Sequence, residues 1–276
     1  MSIAAAIQMA SGPNVQANLA ETEKLIRTAV QQDAELVVLP ENYAIMGLKE
    51  SDKVAIAEQY GDGPMQQFMA EQARKHGIWL VGGTIPIRSD EPGKVYSTSL
   101  LYNSDGEMVA RYDKIHLFDV TIEASMESYT ESETITPGEQ VVVVDTPFGK
   151  LGMAVCYDLR FPELFRAMVD AGMEICVLPS AFTSLTGTAH WEPLLRARAI
   201  ENLCYMVAAA QGGYHINGRE THGDSMIIDP WGVILNRLPH GTGVVVSNLD
   251  MEMLNRTRHN FPSLQHKRLG CRIDYS

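Results

Sequence analysis

The chain has few cysteines and no long apolar run, and both absences narrow what it can be. Only four of its 276 residues are cysteine, and no two of them form a C-x-x-C pair. This spacing argues against a disulfide framework, a zinc ribbon and a dithiol redox motif. No stretch approaches the roughly 18 consecutive apolar residues that a membrane-spanning helix needs. We therefore expect a reduced, cytoplasmic protein with no metal site and no contact with a membrane.

An excess of positive charge is also missing. Lysine and arginine together number 22 against 34 acidic residues, which gives a formal net charge of −12. Surfaces that bind nucleic acids or anionic membranes need a positive potential, so we expect neither kind of partner. The first residues, MSIAAAIQMASGPN, have no basic n-region and no long apolar core, so we expect no signal peptide.

Short apolar stretches alternate with amphipathic ones along the chain. Strands are predicted for Ile3–Met9 and Ile78–Ile87, a helix for Asn14–Gln32, and a hairpin around the turn Asn103–Gly106. Alternating strands and helices favour an α/β fold, whereas hairpins require antiparallel pairs, so the sheets should be mixed. Two mixed sheets with helices outside them satisfy both features. No repeat or linker interrupts the pattern, and we expect a single domain over residues 1–276.

The stretch Gly149–Met168 carries the strongest chemical signal. Its sequence, GKLGMAVCYDLRFPELFRAM, predicts a buried strand, a turn with Cys156, and a helix that begins near Pro162. A thiol between a strand end and a helix N-terminus can have its pKa lowered toward the reactive range. Cys156 is therefore a candidate nucleophile, and an inert buried cysteine is the alternative that this stretch leaves open.

Glu41 and Lys114 share with Cys156 a position just after an apolar strand. The carboxyl ends of strands in an α/β fold gather at one edge, so residues distant in sequence can converge there. A carboxylate can act as the base for a thiol, and an ammonium can hold the oxyanion of a tetrahedral intermediate. On its own, Glu41 could equally cap a helix or be solvated.

Three blocks of the sequence, VVLPENY, YDKIHLFD and GMAVCYDLRFPELFR, resemble the signature blocks of the nitrilase superfamily of carbon–nitrogen hydrolases. The resemblance runs over nearly the whole chain, as far as the DPWG block at residues 229–232. It implies a four-layer α-β-β-α sandwich with two mixed sheets. It also implies a catalytic triad made of Glu41, Lys114 and Cys156.

The same family uses a second glutamate in the loop before the nucleophile strand, ahead of a Pro-Gly pair. Glu131 matches that position better than Glu127 or Glu123, because Glu131 stands at the family's spacing from Pro137 and Gly138. The resemblance implies that Glu131 orients the catalytic lysine and helps to position water. We expect the loop Thr121–Gly138, in which all three glutamates lie, to have no regular structure.

The family resemblance implies an amidase. The thiol attacks the carbon of a terminal carboxamide, ammonia leaves, and water converts the resulting thioester to an acid, without a metal or an organic cofactor. Cys156-Tyr157-Asp158 differs from the C-W-E of true nitrilases, which disfavours a nitrile substrate. The segment Pro179–Glu192 resembles the deaminated glutathione amidases of the Nit subgroup, so deaminated glutathione is the expected substrate. The alternatives are an ω-amidase acting on α-ketoglutaramate or a similar short monoamide, and a non-enzymatic binding member of the fold.

Four residues are candidates for substrate binding by this resemblance. The backbone N–H of Tyr157 is expected to hold the oxyanion together with the catalytic lysine. Phe182, Thr183 and Ser184 lie in the polar loop expected after the strand that follows the nucleophile helix. The hydroxyl pair of Thr183 and Ser184 is expected to hydrogen-bond the distal part of a peptide-like amide.

Two further side chains near the triad are expected to be structural. His116, two residues after the catalytic lysine, would allow Cys–His chemistry, but the family uses glutamate as its base. Arg160 is expected to hold the nucleophile turn by an ion pair with Asp158 rather than to bind a substrate carboxylate. The resemblance also implies a homodimer or a higher homo-oligomer.

Overall fold

The computed structural model of the chain describes residues 2–122 and 127–270. Glu123 lies outside the described residues, as does Cys271. The described residues form helices with these bounds: α1 (Val15–Val30), α2 (Ser51–Ala55), α3 (Pro64–His76), α4 (Pro162–Asp170), α5 (Ser184–Asn202), α6 (Met251–Asn260), and two short 3₁₀ helices at Glu131–Glu133 and Cys156–Arg160.

The same residues form strands with these bounds: β1 (Ser2–Gln8), β2 (Leu36–Val38), β3 (Trp79–Val81), β4 (Ile85–Arg88), β5 (Val95–Tyr102), β6 (Met108–Asp113), β7 (Asp119–Ile122), β8 (Glu127–Thr130), β9 (Val143–Thr146), β10 (Gly149–Met153), β11 (Ile175–Ser180), β12 (Tyr205–Ala210), β13 (Gly212–Tyr214), β14 (Glu220–His222), β15 (Ser225–Ile228), β16 (Ile234–Leu238) and β17 (Gly243–Leu249).

Most strands belong to two mixed sheets. The first has the order β17-β1-β2-β3-β5-β4, with β6 also paired to β5; the second has the order β16-β15-β12-β11-β10-β9. Pairs at the centre of each sheet are parallel, β1-β2-β3 in one and β10-β11-β12 in the other, and the flanking pairs are antiparallel. Hairpins β7-β8 and β13-β14 stand outside both sheets.

The two sheets pack face to face, and helices cover their outer faces. Strands β1 and β2 of the first sheet contact β11, β12 and β15 of the second. Helices α1 and α3 pack on each other and on the first sheet, whereas α4 and α5 pack on each other and α5 lies on β12 and β15. The predicted α-β-β-α sandwich with two mixed sheets is confirmed.

Local sequence explains where the helices on the first sheet begin and end. Asn14 caps α1, because its side chain accepts a hydrogen bond from the N–H of Ala17 at 3.1 Å. Pro64 occupies the first turn of α3, and the helix ends at Gly77 in the left-handed conformation with φ of 64°. Both helices follow the predicted apolar pattern closely.

Helix α5 begins within a segment that was expected to be a loop. Its first turns carry small and polar residues instead of an apolar stripe, so the sequence pattern does not reveal them. A small residue is needed in these turns because the helix approaches β14 closely. A Cβ placed on Gly187 would lie 2.3 Å from the Cβ of His222. The stretch Thr121–Gly138, also expected to be irregular, contains β8 and the 3₁₀ helix Glu131–Glu133.

The predicted strand Ile78–Ile87 is divided into β3 and β4, and the break supports the loop that carries Glu41. Gly83, in the break, has φ of 50°, and a Cβ on it would lie 2.1 Å from the carbonyl oxygen of Pro40. The next residue, Thr84, accepts a hydrogen bond from the N–H of Asn42 at 2.9 Å. Gly83 and Thr84 therefore contact Pro40 and Asn42, the residues directly before and after Glu41.

We expect Gly83→Ala to lower the free energy of unfolding by about 3 kcal/mol, because the new Cβ meets both an unfavourable φ and the Pro40 carbonyl. Gly77→Ala is the matched control: φ there is 64°, but a Cβ would meet no atom within 4 Å. The control is expected to lose about 1 kcal/mol from its backbone conformation alone. Urea unfolding of both variants measures the difference, and equal losses would contradict the role given to the close approach.

Candidate active site

Three strand ends bring the predicted catalytic residues to one edge of the sandwich. Glu41 follows β2, Lys114 follows β6, and Cys156 follows β10. All three line one cavity of about 320 Å³, together with Glu131. The convergence expected from strand ends in an α/β fold is therefore what the structure shows.

Lys114 lies between two carboxylates at the base of this cavity. Its Nζ donates to Oε1 of Glu41 at 2.9 Å and to both carboxylate oxygens of Glu131 at 2.9 and 2.8 Å. The side chains of Lys114 and Glu41 are only 2% and 4% exposed. Burial by itself would lower the pKa of Lys114, but Glu131 and Glu41 outweigh it and hold that pKa well above its ordinary value. The lysine therefore keeps its positive charge.

Backbone hydrogen bonds fix the three members of this ion cluster. The N–H of Lys114 donates to the carbonyl of Ser97 at 3.0 Å, and its own carbonyl accepts from Gly138 at 2.9 Å. Glu131 accepts from the N–H of Phe118 at 2.8 Å. The carbonyl of Glu41 accepts from the side chain of Gln211 at 3.0 Å. The two sheets and the β8 segment therefore all contribute to the geometry around the lysine.

Cys156 begins the 3₁₀ helix Cys156–Arg160 in a left-handed conformation, with φ of 46°. Burial and the charge of Glu41 raise the pKa of its thiol well above the ordinary value, against an opposing effect of Lys114. The sequence predicted that a helix N-terminus would lower the pKa of this thiol. That prediction is wrong, because the effects of burial and of the Glu41 carboxylate are larger. A neutral thiol needs a proton acceptor, and the Glu41 carboxylate lines the same cavity.

Asp158 ties the nucleophile turn to the segment that carries Lys114. The carboxylate is fully buried. One oxygen accepts from the N–H of Val155 at 2.8 Å and from the hydroxyl of Tyr112 at 2.6 Å. The other accepts from the backbone N–H of His116 at 3.1 Å and lies 2.7 Å from the ring Nδ1 of that histidine. Through Asp158, the residues that flank Lys114, Tyr112 and His116, are therefore hydrogen-bonded to the nucleophile turn around Cys156.

His116 thus lies behind the nucleophile turn and not in the cavity. Its ring stacks on Phe161 with 3.7 Å between centroids, and it is not among the cavity-lining residues. This placement agrees with the structural role expected for it. Cys176 and Cys204 are also buried away from the cavity, and burial raises the pKa of Cys204 to about 12.

The cavity wall contains three of the four predicted substrate-binding residues. Tyr157, Phe182 and Thr183 line it, but Ser184 does not. The expectation for Ser184 needs correction, because Ser184 begins α5 and points about 100° around the helix from the residue before it. Thr186, three positions after Thr183, lies on the cavity side instead, and the two threonine hydroxyls are 2.7 Å apart.

Arg160 also lines the cavity, and the predicted ion pair with Asp158 is wrong. The acceptor positions of Asp158 are taken by the groups described above. The guanidinium of Arg160 lies 5.8 Å from the ring centroid of Tyr157 and 5.2 Å from that of Phe182. Its Nη1 is 3.1 Å from the ring of His190. A cation thus lies against the aromatic wall of the cavity.

Sequence reasoning missed a second group of charged residues that line the cavity. Glu50 pairs with Lys53 at 3.0 Å and with Arg219 at 3.4 Å, and all three line the cavity. They come from α2 and from the β13-β14 hairpin, neither of which was predicted. The available signal was the Asn217-Gly218 pair, a strong hairpin turn that places Arg219 at the start of β14.

The described part of the chain contains neither a metal-binding cluster nor a membrane-spanning helix. Within residues 2–122 and 127–270, no group of three or more His, Cys, Asp or Glu side chains is arranged to hold a metal ion. In the same part of the chain, no helix has the length and apolar character needed to cross a membrane.

Residues 3–259 match the carbon–nitrogen hydrolase family. The chain belongs to this family. It is 46% identical over 265 residues to a deaminated glutathione amidase of Yersinia enterocolitica, which covers 96% of this chain and 92% of that protein. The family and these amidase relatives together show a hydrolase that acts on amide carbon–nitrogen bonds.

Solved structures agree with this assignment. The NitFhit protein of C. elegans superposes with a TM-score of 0.87 and 37% identity over 97% of this chain, which spans 65% of that longer chain. An amidase from Nesterenkonia sp. AN1 superposes with a TM-score of 0.79 and 27% identity, covering 95% of this chain and 98% of that chain. In that structure acrylamide has undergone Michael addition at the active-site cysteine.

We expect Asp158→Asn to lower kcat about 100-fold while KM changes by less than about threefold, because two of the four hydrogen bonds are lost. Asp158 does not line the cavity, so its loss misaligns Lys114 and Cys156 without removing a contact to substrate. Asp229→Asn is the matched control: Asp229 is also buried and accepts two backbone N–H groups, from Trp231 and Val233, at 2.8 and 2.9 Å.

Steady-state kinetics and thermal unfolding of both variants separate alignment from stability. The control is expected to keep its kcat, because Trp231 and Val233 both donate to one oxygen of Asp229, which asparagine retains. An unchanged kcat in Asp158→Asn, or an equal fall in the control, would contradict the positioning role of Asp158.

Proposed function

We propose that this protein hydrolyses the amide of deaminated glutathione through a thioester on Cys156, with Glu41, Lys114 and Glu131 as the other catalytic residues. The observation that carries the proposal is that the buried Cys156 shares one cavity with Glu41 and Glu131, whose carboxylates both accept hydrogen bonds from Lys114. Relatives from Yersinia enterocolitica, Synechocystis and Homo sapiens, 40–46% identical over 96% of this chain, are named deaminated glutathione amidases.

The first step forms the carbon–sulfur bond. As the sulfur of Cys156 attacks the amide carbon, Glu41 accepts the thiol proton, and the carbonyl π electrons move onto oxygen. Lys114 and the backbone N–H of Tyr157 hold the negative oxygen that results. Because the thiol pKa is raised by burial and by Glu41, the proton transfer accompanies attack instead of preceding it.

The second step breaks the carbon–nitrogen bond and then restores the enzyme. Glu41 returns its proton to the nitrogen, and the amine leaves while Cys156 keeps the acyl group as a thioester. Water then gives a proton to Glu41 and attacks the thioester carbon. The carbon–sulfur bond breaks, and the thiolate recovers the proton from Glu41. The sum is amide plus water to acid plus amine, with Glu131 holding Lys114 in place throughout.

The leaving group distinguishes the two candidate substrates. Glutathione is γ-glutamyl-cysteinyl-glycine, so loss of its amino group by transamination leaves an amide between a 2-oxo diacid and cysteinylglycine. Its hydrolysis releases cysteinylglycine. Ammonia, the second product expected from a terminal carboxamide, belongs to the ω-amidase alternative with α-ketoglutaramate.

Arg160 supports a substrate with an acidic acyl part. None of the ion pairs among the described residues includes Arg160, although its guanidinium lies on the cavity wall. Thr183 and Thr186 present hydroxyl groups on the same side. We propose that these groups bind the 2-oxo acid end of the substrate, which both candidates share.

Three other expectations also stand as proposals. The chain is proposed to be a single domain over residues 1–276, to be cytoplasmic, and to form a homodimer or a higher homo-oligomer. Exposed apolar side chains that lie together support self-association: the rings of Trp231 and Phe261 are 58% and 52% exposed and lie 5.8 Å apart.

The decisive test is turnover of deaminated glutathione beside α-ketoglutaramate and a simple nitrile, with cysteinylglycine, ammonia and the acid all measured. We expect strong preference for deaminated glutathione and no turnover by Cys156→Ala, whose smaller side chain fits the site. Preference for α-ketoglutaramate would keep the catalytic residues and replace the substrate. No hydrolysis of either amide would overturn the proposal.

Glu41→Gln is expected to lower kcat about 1,000-fold, because the base and acid of both steps are lost. The same change is expected to lower the pKa of the Cys156 thiol, since the charge of Glu41 is one of the causes that raise it. The thiolate should thus form at lower pH in the inactive variant than in the wild type. Ultraviolet absorbance of the thiolate against pH, with Cys156→Ala subtracted, measures this; an unchanged thiol pKa or near-full turnover would count against Glu41 as the base.

A further inference from the structure

Arg219 has a buried donor without a partner on the wall of the active-site cavity. Its Nε is buried and has no hydrogen-bond partner in the described part of the chain. Its Nη1 lies 3.4 Å from Glu50 and 4.0 Å from the sulfur of Met46, both longer than a strong charge-assisted hydrogen bond. The hydrogen-bonding capacity of the guanidinium is therefore not fully satisfied by the protein.

The surrounding structure holds this guanidinium in one orientation. It lies over the ring of Tyr129 from β8, with 4.9 Å between its central carbon and the ring centroid. The side chain of Asn217 donates to the carbonyl of Gly47 at 2.8 Å and accepts from the N–H of Arg219 at 3.0 Å. These bonds join the β13-β14 hairpin to the loop that carries Glu50. The site is thus built from three separate parts of the chain.

The position of Arg219 relative to Glu41 indicates which part of the substrate lies next to the guanidinium. Glu41 returns the proton to the nitrogen, so the leaving group lies on the Glu41 side of the cavity. The chain continues from Glu41 through Asn42 to Glu50 and Lys53, and all of these line the cavity with Arg219. Arg160, proposed above to bind the acyl part, comes instead from the nucleophile turn and lies against Tyr157 and Phe182, whereas Arg219 lies against Tyr129.

We propose that Arg219 forms an anion subsite that binds the carboxylate of the leaving group, here the glycine carboxylate of cysteinylglycine. The inference rests on the proposed function and specifies its substrate class: amides with a carboxylate on each side of the scissile bond. The side chain of Arg219 is 20% exposed although its Nε is buried, so a carboxylate in the cavity meets the Nη groups of the guanidinium first. Lys53 pairs with Glu50 at 3.0 Å, whereas Arg219 lies 3.4 Å from the same carboxylate, so Arg219 is the less tightly paired of the two cations.

The subsite would let the enzyme discriminate between deaminated glutathione and short monoamides. Both compounds carry the 2-oxo acid end that faces Arg160. Only deaminated glutathione carries a second carboxylate, at the end of its leaving group. Arg219 is therefore proposed as a specificity-determining residue, whose contribution is absent for α-ketoglutaramate.

The test combines one change in the enzyme with one change in the substrate. The enzyme change is Arg219→Gln, and the substrate change replaces the glycine carboxylate of deaminated glutathione by its primary amide. Wild-type protein is expected to lose about 30-fold in kcat/KM on the amide-capped substrate, the range of one charged hydrogen bond. Arg219→Gln should show the same loss on the uncapped substrate and no further loss on the capped one.

Two controls accompany these kinetics. Arg196→Gln removes a half-exposed arginine that does not line the cavity, and it should leave the preference for the carboxylate unchanged. Turnover of α-ketoglutaramate should fall far less in Arg219→Gln than turnover of deaminated glutathione. An equal fall for α-ketoglutaramate would mean that Arg219 only supports the fold, which would overturn the subsite.

Binding to the Cys156→Ala protein separates this inference from the proposed function. Calorimetric titration with deaminated glutathione and its amide-capped form should give Kd values about 30-fold apart, and equal values once Arg219→Gln is added. Equal Kd values with Arg219 in place would overturn the subsite whatever the turnover. A difference in Kd without hydrolysis by the active protein would support the subsite and overturn the proposed function.

Discussion

A buried lysine shared by two carboxylates is the constraint on which the rest of this structure depends. A charge removed from water must be paired, so Lys114 fixes both Glu41 and Glu131 where they lie. Two carboxylates and one ammonium leave the cluster with one excess negative charge. In the proposed mechanism, Glu41 takes the thiol proton, and that charge passes through the sulfur of Cys156 to the substrate oxygen beside the lysine. The buried charge is therefore moved and never increased during the reaction.

The fold keeps this cluster aligned by means of a second buried carboxylate. Asp158 joins the turn of Cys156 to Tyr112 and His116, which flank Lys114. Burial and the neighbouring Asp158 raise the pKa of Tyr112 well above its ordinary value, so its hydroxyl remains a donor. One carboxylate thus serves the chemistry from within the cavity while the other fixes the geometry from behind it.

Much of the fold could be predicted from the sequence, and the reasons are local. Helices α1 and α3 have an apolar stripe and clear end signals at Asn14 and Gly77. The start of α5 has neither, because Gly187 is selected by the close contact with β14 and not by an apolar face. The 3₁₀ helix at Glu131 was likewise hidden in a polar segment without periodicity.

The candidate site was only partly accessible to the same reasoning. Glu41, Lys114 and Cys156 each follow a strand in a recognisable block, so their convergence could be expected. Arg219 could not, because it meets the cavity only through a hairpin whose packing against other loops is a long-range property. The thiol pKa of Cys156 was misjudged for a similar reason, since burial and a carboxylate from a distant strand decide it.

The hairpin β7-β8 has a consequence for how the enzyme can diversify. Tyr129, which packs against Arg219 on the cavity wall, and Glu131, which accepts from the lysine, are two residues apart on one continuous piece of chain. A change of backbone position at Tyr129 therefore also shifts a charge next to Lys114. Thr183 and Thr186, at the start of α5, line the cavity from a separate piece of chain. If the proposed sides are right, substitutions at Thr183 and Thr186 can accommodate new acyl groups without moving a catalytic charge. Substitutions at Tyr129 that accommodate new leaving groups also change the position of Glu131 and of the lysine that it holds.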